Sequence, residues 1–415
     1  MALVRPFKAI RPTPALAEKV AALPYDVMNS AEAREMVKDN PYSFLHVDKA
    51  EIDLPVGTDV YAPEVYAKAK ENLDNMSKTG TMLTEAAPMF YLYRLTMNGR
   101  AQTGLVACTS IDEYLDNKIK KHELTLETKE QDRIRHVETC NANTGPIYLA
   151  YKAQVDIDAL VADWCANHAP VYDFVAEDGI GHAVWTVTCT DAIEKIATAF
   201  AKVPALYIAD GHHRNASAVK VALKKRAENP DYTADAEFNY YLSVVFPSNQ
   251  LFIMDYNRVV KDMNGLSNDA FLAKLAEKFD IADVDGVANA KPAKRHSFGM
   301  YFNGAWKMLT LKDGIANESD PVASLDVSIL QDNVLTPLLG IDDPRTNKRI
   351  DFVGGMRGLA ELAKRVDSGE MKVAFAMFPT SMDELLSIAD AGAIMPPKST
   401  WFEPKLRSGL FVHEL

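Results

Sequence analysis

The chain has 415 residues, of which 48% are hydrophobic and 25% are charged, a composition typical of a globular protein too long for one small domain. Its formal charge of −12 leaves no broad basic surface for a phosphate backbone, so we do not expect nucleic acid as a main partner. No apolar run could span a membrane or serve as a secretion leader, and the four cysteines form no C-x-x-C pair, so we expect a cytoplasmic protein with reduced thiols and no zinc site.

The amino-terminal quarter predicts short elements separated by prolines. Residues 3–10 are typical of a strand, after which Pro12 and Pro14 impose an extended connection because proline fixes φ. A helix capped by Ser30 is expected over 30–39. A second strand is expected over 43–47, followed by a helix that starts with Pro63 in its first turn.

Two β-hairpins are indicated by Asn-Gly pairs between segments rich in aromatic and β-branched residues. Asn-Gly supplies the positive φ angles that a two-residue type I′ turn requires. The paired segments are 90–97 with 102–109, around Asn98-Gly99, and 297–302 with 306–311, around Asn303-Gly304. A domain boundary is expected near residue 250, between the two hairpins.

A charged segment over 120–125 precedes a predicted helix that carries Lys129 and Arg133. These two residues are four apart, so they share one helix face. The face could hold a phosphate group. Ion pairs on a solvated helix surface would produce the same pattern, and the spacing alone does not separate the two interpretations.

The most informative segment runs from Val203 to about Val219 and predicts a buried strand, a tight turn and a helix. The turn contains Asp210, Gly211, His212, His213 and Arg214. Unpaired backbone N–H groups and the positive end of the helix dipole favour an anion at such a helix start. Glycine there lets a ligand oxygen approach the backbone.

Each side chain of this turn has a chemical use at a phosphate. Asp210 can cap the helix or position a cation, His212 and His213 can donate to phosphate oxygens, and Arg214 offers a planar bidentate fork. The same residues could simply cap the helix and pair with nearby carboxylates. Their density in one turn favours the phosphate interpretation, and adjacent histidines about 100° apart on a helix do not favour a metal.

Several motifs along the chain resemble the bacterial family called domain of unknown function 1015. They are Val4-Arg-Pro-Phe-Lys-Ala9, Leu23-Pro-Tyr-Asp-Val27, Asn40-Pro-Tyr-Ser-Phe-Leu-His46, Lys121-His-Glu-Leu-Thr125, the Asp210–Arg214 turn and Met395-Pro-Pro-Lys-Ser-Thr-Trp-Phe-Glu-Pro-Lys405. The resemblance covers nearly the whole chain. The function of that family is not settled, so its name implies no activity.

The Asp210–Arg214 turn also resembles the phosphate-binding motif of the superfamily that contains the partition protein ParB, sulfiredoxin and the archaeal free serine kinase. This resemblance implies an α/β fold with mixed sheets. It implies a ParB- and sulfiredoxin-like nucleotide-binding core with an inserted hairpin over 1–250, and an additional α/β lobe over 251–415. Sulfiredoxin chemistry would need a cysteine where His212 stands, and ParB-type partitioning would need a basic helical region.

Kinase activity is the remaining implication of the resemblance. It implies transfer of a phosphoryl group from ATP or ADP, with Mg²⁺, to a small hydroxyl metabolite, for which free serine is the best candidate. The alternative is a regulatory protein that binds or hydrolyses a nucleotide without a metabolite acceptor. No Walker or Rossmann glycine motif occurs, so the nucleotide site is expected to be of neither type.

The candidate catalytic residues are Asp26, Glu123, His212 and His213. A kinase needs a group that guides the hydroxyl proton, and Asp26 and Glu123 are the two candidates that the sequence does not rank. The resemblance adds Lys121 and Arg133 to the ligand-binding set. That set is Asp210, Gly211, His212, His213, Arg214, Lys121 and Arg133.

Overall fold

A computed structural model describes residues 2–415, which divide into two compact units. The first unit runs up to Leu251 and includes Pro404–Leu415, and the second is Phe252–Glu403. The sequence interpretation assigned all of 251–415 to the second lobe. The carboxyl-terminal residues instead belong to the first unit, because their backbone pairs with it and their buried side chains pack in its interior.

The first unit contains thirteen strands. In chain order they are β1 (Val4–Arg5), β2 (Ile10–Pro12), β3 (Met82–Thr84), β4 (Phe90–Met97), β5 (Arg100–Ser110), β6 (Ile119–Lys120), β7 (Ala142–Asn143), β8 (Ile147–Tyr151), β9 (Tyr172–Val175), β10 (Gly181–Val187), β11 (Leu206–Asp210), β12 (Tyr240–Pro247) and, near the carboxyl end, β19 (His413–Glu414).

Nine of these strands form one mixed sheet in the order β6-β11-β8-β12-β5-β4-β10-β9, with β1 also paired to β5. The β6–β11 and β8–β12 pairs are parallel and the other pairs are antiparallel. The expected α/β fold with mixed sheets is therefore confirmed. Two small pairs, β2 with β3 and β7 with β19, complete the unit.

Nine α-helices accompany these strands. They are α1 (Ala17–Val20), α2 (Ser30–Val37), α3 (Leu45–Asp48), α4 (Pro63–Lys78), α5 (Ile111–Leu115), α6 (Glu127–Cys140), α7 (Val155–Asn167), α8 (Thr190–Phe200) and α9 (His212–Glu228). Helices α7, α8 and α9 contribute to the apolar core of the large sheet. A separate apolar core lies among α2, α3 and α4 and includes Phe44, Leu73 and Val412.

The second unit is built on a six-stranded sheet in the order β14-β16-β15-β18-β13-β17. Its strands are β13 (Tyr256–Val260), β14 (Phe279–Asp283), β15 (Ser297–Phe302), β16 (Ala305–Leu311), β17 (Ile350–Gly354) and β18 (Val373–Ala376). Its helices are α10 (Asn268–Lys278), α11 (Gly286–Asn289), α12 (Asp326–Leu330), α13 (Gly358–Asp367) and α14 (Met382–Asp390), and a π-helical turn, Gln331–Leu335, follows α12.

Both predicted hairpins are confirmed, because β4–β5 and β15–β16 pair around Asn98-Gly99 and Asn303-Gly304 with positive φ at all four residues. The predicted strand over 43–47 is wrong, since that short apolar run enters α3. The cap of α2 is Asn29 rather than Ser30, and Glu32 completes a capping box with it. Among residues 2–415, no helix is long and apolar enough to cross a membrane.

Candidate functional site

The site is built around the turn between β11 and α9. Strand β11 ends at Asp210 and α9 begins at His212, with Gly211 between them at φ +88°. This left-handed backbone favours glycine. The Asp210 carboxylate accepts the Gly211 N–H through Oδ1 at 2.8 Å and the Lys405 ammonium through Oδ2 at 2.7 Å. Desolvation of the carboxylate disfavours its charged form. The charge of Lys405 and the hydrogen bonds from Lys405 and Gly211 nevertheless hold the pKa of Asp210 below its ordinary value.

The first turn of α9 presents backbone donors that the helix itself cannot satisfy. Gly211 has no side chain with which to cap the helix, and the first amides of any α-helix lack intrahelical acceptors. The helix has seventeen residues, and the dipole of a helix this long places about half a positive elementary charge at its amino end. The strand, turn and helix predicted from the sequence are thus present and form an anion-binding geometry.

Arg214 lies in that first turn and reaches across to other elements. Its guanidinium donates to Ser408 Oγ at 3.4 Å and lies 3.7 Å from the carboxylate of Asp48 at the end of α3. A Cβ atom on Gly145 would come within 2.7 Å of Arg214 Nη1. The absence of a side chain at residue 145 therefore gives Arg214 its position.

A cavity of about 270 Å³ lies among the α2, α3, α4 and α6 segments of the first unit. Its charged and aromatic lining residues are Asp26, Asp48, Glu51, Asp132, Lys49, Lys129, Arg133, His136, Tyr25, Tyr61 and Tyr66. A recess of about 20 Å³ shares Arg133 and His136 with this cavity and is also lined by Arg214. The cavity is therefore adjacent to the first turn of α9.

Most charges in the cavity wall are already paired. Lys49 Nζ lies 3.0 Å from Glu51 Oε1, and the Arg133 guanidinium lies 2.8 Å from Asp132. The side chains of Asp26 and Lys129 make no hydrogen bond or ion pair with the residues from 2 to 415. These two free and opposite charges are available to a polar ligand in the cavity.

Tyr25 connects the cavity with Arg214. The centre of its ring lies 3.9 Å from the central guanidinium carbon of Arg133. The corresponding carbon of Arg214 lies 5.3 Å from the same ring centre. Burial raises the pKa of Tyr25 to about 12, against the opposing charge of Arg133. The neutral aromatic ring thus holds two guanidinium groups in one region without neutralising them.

His212 and Glu123 lie together on another side of the turn. The nearer oxygen of Glu123 is 3.5 Å from His212 Nδ1, and the ring of His122 packs edge to face on His212 with ring centres 4.5 Å apart. His213 accepts the backbone N–H of Leu126 through Nε2 at 3.0 Å and so holds the segment before α6.

The structure therefore separates the predicted residues into two groups. Asp26 and Arg133 line the cavity, as does Lys129, which the spacing placed on the face of Arg133. Glu123 adjoins His212 instead, and exposed Lys121 lies over the ring of Tyr114 at 5.5 Å. Asp26 and Glu123, the two candidate proton acceptors, therefore lie in different places and not in one pocket.

Sequence reasoning missed Asp48 and Glu51, the two buried carboxylates of the cavity. Asp48 follows the run that was interpreted as a strand, and Glu51 lies in a 3₁₀ turn after it. A helical interpretation of residues 45–48 would have placed Asp48 at a helix end. No local signal indicates that Glu51 is buried. Its carboxylate accepts a hydrogen bond from Ser30 on α2 and pairs with Lys49, which lies just before the 3₁₀ turn.

Within residues 2–415, no group of three or more His, Cys, Asp or Glu side chains is arranged to hold a metal ion. Asp48 Oδ2 is nevertheless a buried carboxylate oxygen without a hydrogen-bond partner. The carboxylates of this region could supply one or two ligands, which is what Mg²⁺ requires when phosphates and water provide the others.

The protein is thus of the α/β class, with a strand–turn–helix beside a polar cavity in its first unit. Residues 4–328 match the family described as "Protein of unknown function (DUF1015)". Because this match covers more than half of the chain, the protein belongs to that family. No curated protein matches the chain.

Solved structures similar to the chain include a free serine kinase in complex with AMP, at 14% identity and a TM-score of 0.37 over 74% of this chain and 92% of the kinase. A conserved hypothetical protein from Pyrococcus furiosus has 14% identity and a TM-score of 0.34 over 74% and 94%. C-terminally truncated SbnI from Staphylococcus aureus has 12% identity and a TM-score of 0.39 over 73% and 85%. The relation of the core to ParB and sulfiredoxin stays a prediction.

Proposed function

We propose that this protein is a cytoplasmic, nucleotide-dependent kinase of a small hydroxyl metabolite. The phosphates of ATP or ADP bind at the first turn of α9, and the acceptor binds in the 270 Å³ cavity. The choice of a hydroxyl acceptor, with free serine as the first candidate, follows the resemblance of the Asp210–Arg214 turn to the free serine kinase motif. The four free cysteines agree with a reducing compartment.

The observation that carries the proposal is the position of Asp48. This buried carboxylate lines the acceptor cavity and lies 3.7 Å from Arg214 in the first turn of α9. A phosphate at the helix end and a hydroxyl group in the cavity would therefore be neighbours. Such proximity is what phosphoryl transfer requires, since catalysis consists mainly of positioning and charge stabilisation.

The chemistry assigns a role to each side of this arrangement. The acceptor oxygen forms a bond to the terminal phosphorus, the bond from that phosphorus to the bridging oxygen breaks, and the shortened nucleotide leaves. Asp26 is the proposed proton acceptor because it lines the cavity without a partner among residues 2–415. Arg214 and the α9 amides stabilise the oxygen charge that develops.

Mg²⁺, when bound with the nucleotide, would neutralise phosphate charge. Asp48 is the carboxylate that could contribute to its shell, because its Oδ2 atom is buried without a hydrogen-bond partner.

The proposal is tested by incubating the protein and Mg²⁺ with ATP or ADP and a panel of hydroxyl metabolites that starts with serine. A phosphate ester detected by ³¹P NMR is the expected product. Asp26→Asn should lower kcat by about 10²- to 10⁴-fold, the usual contribution of a proton-transfer group. Arg214→Ala should weaken nucleotide binding in isothermal calorimetry. Asp231→Asn, which alters an exposed aspartate outside the cavity, serves as the control.

Three results would contradict the proposal in different ways. Nucleotide binding without any phosphorylated acceptor would favour a regulatory protein instead of a kinase. An Asp26→Asn protein with unchanged kcat would remove Asp26 from the chemistry. Nucleotide affinity that is the same in a folded Arg214→Ala variant would show that the turn is structural.

A further inference from the structure

Two neighbouring histidines account for an unusual share of the unsatisfied polar atoms. Seven buried side-chain atoms among residues 2–415 lack a hydrogen-bond partner, and three of them are imidazole nitrogens of His122 and His212. His122 is 1% exposed and His212 is 5% exposed. Buried polar groups are nearly always hydrogen-bonded because each unsatisfied one costs free energy. A concentration of them at one place indicates that a ligand completes the bonding.

The location of the pair identifies the kind of ligand. His212 is the first residue of α9, and His122 packs directly against its ring. The pair therefore lies where the unsatisfied amides and the positive helix end favour an anion. The unpartnered nitrogens are an observation independent of the helix end, and both point to the same bound group.

Both imidazoles are neutral at neutral pH. Burial lowers the pKa of His122 to about 4, with Asp210 opposing it. Burial, followed by the influence of His122, His213 and Lys121, lowers the pKa of His212 well below its ordinary value. The other charged groups facing the pair are Glu123 beside His212 Nδ1 and, through Asp210, the ammonium of Lys405.

The tautomer of His212 determines what it can offer a ligand. The carboxylate of Glu123 near Nδ1 favours the proton on that nitrogen. Neutral His212 then presents a lone pair at Nε2, which would repel a phosphate oxygen. Only the protonated ring could donate a hydrogen bond from Nε2 to an anion.

We propose that His122 is a phosphate-binding residue that acts together with His212, and that phosphate binding at the amino end of α9 takes up a proton. This inference rests on the proposed function because it uses the same anion site. The group recognised is a terminal phosphate, whether it belongs to a nucleotide or to inorganic pyrophosphate. The segment that carries His122, between β6 and α6, contains no helix or strand, so a ligand can reach the pair by a local shift.

The sign of the coupling follows from charge. A bound phosphate favours the imidazolium form and raises the pKa of the pair, so the complex holds more protons than the free protein. Affinity must then fall as pH rises, by about tenfold per pH unit for each proton taken up. A site made only of arginine, lysine and backbone amides would show no such contribution from the protein.

The test measures binding of pyrophosphate, and of ATP in parallel, to the full-length protein by isothermal calorimetry between pH 6 and pH 8. Buffers of different ionisation enthalpy give the number of protons taken up. His122→Gln, whose amide cannot be protonated, should bind about tenfold more weakly at pH 6.5 and lose part of the proton uptake. His168→Gln, which changes an exposed histidine stacked on Trp164, is the control and should match the parent in affinity and proton uptake. The ligand's own titration is the same for all three proteins, so it cancels when their proton uptake is compared.

Proton uptake in the parent that is reduced in His122→Gln supports the inference, and equal uptake and affinity in the two proteins overturn it. If the parent binds neither pyrophosphate nor ATP, the proposed function fails together with the inference. Binding without protein-linked uptake overturns the inference alone. Should His122→Gln not fold, ¹⁵N NMR of the parent decides, since an imidazole of the pair must change from neutral to protonated shifts when pyrophosphate is added, and no such change would overturn the inference.

Discussion

Two glycines of the first unit, Gly57 and Gly409, share a left-handed backbone angle but differ in their surroundings. Gly409 has φ +85°, and a Cβ atom there would lie 2.5 Å from the Cβ of Phe44. Gly57 has a similar φ of +96°, but a Cβ atom on it would meet nothing within 4 Å. The two positions therefore separate the cost of the backbone angle from the cost of a clash.

Replacing each glycine by alanine should reveal that difference. Gly57→Ala should lower the free energy of unfolding by about 1 kcal/mol, the cost of a left-handed angle for a residue with a Cβ. Gly409→Ala should lose about 2–4 kcal/mol, because fully buried Phe44 must also shift. Urea unfolding of both variants measures the two losses. Equal losses would mean that the interior around Phe44 adapts to the added atom.

The Asp210–Arg214 turn could be predicted from the sequence, whereas the side chains that contact it could not. Five ligand-type residues in a strand–turn–helix form a local signal, and Gly211 has the positive φ that such a turn requires. Lys405 and Asp48, which contact Asp210 and Arg214, come from distant parts of the chain. Local patterns carry no information about such contacts.

At the scale of elements, the corner between α3 and α4 depends on an ion pair that responds to pH. His46 Nδ1 lies 2.8 Å from Asp53 Oδ1, and Asn72 on α4 donates to the other oxygen of Asp53 at 2.7 Å. The hydrogen bond with Asp53 raises the pKa of His46 despite partial burial. This contribution to stability is complete below the unfolded pKa of about 6.5 and is lost as pH rises through the folded pKa.

Asp53→Asn should therefore destabilise the protein more at pH 6 than at pH 8.5, by a difference of about 1 kcal/mol or less. Denaturant unfolding at the two pH values measures it. Asp74→Asn is the matched control, because Asp74 pairs with a lysine, Lys70, rather than with a histidine. A loss for Asp53→Asn that is the same at both pH values would exclude protonated His46 as the source.

The same corner marks the limit of element prediction. Helix α4 and both Asn-Gly hairpins were predicted correctly because they carry strong local signals: a proline in the first helical turn and an Asn-Gly turn. The run over 43–47 was assigned to a strand, since a short apolar run has no period that distinguishes strand from helix. Its helical form comes from packing in the α2–α4 core.

At the scale of the whole molecule, the first unit combines residues 2–251 with the distant segment Pro404–Leu415. Leu410, Phe411 and Val412 are completely buried, and the ring of Phe411 lies 5.2 Å from that of Tyr91 on β4. Arg407 donates to buried His182 at 3.3 Å and also pairs with Asp178. The carboxyl-terminal segment is thus an interior part of this unit.

A chain ending at Glu403 should fail to form a stable first unit. Deleting three buried apolar side chains costs roughly 2–5 kcal/mol each, which approaches the whole stability of a typical domain. Thermal unfolding followed by circular dichroism measures the loss of stability. Limited proteolysis measures it as faster cleavage within the segment that ends at Leu251. Glu414→Ala, which changes an exposed side chain, should leave both unchanged. A truncated chain that unfolds cooperatively at the parent's temperature would refute this expectation.

The position of Lys405 has a consequence for protein synthesis. Asp210 acquires its cation from Lys405, almost two hundred residues later in the chain, and β7 acquires its partner strand from residues 413–414. Because a ribosome encloses the residues that it has just synthesised, the contact between Asp210 and Lys405 forms only after the growing chain has extended beyond Lys405. Termination before Lys405 therefore yields a chain in which Asp210 lacks this cation.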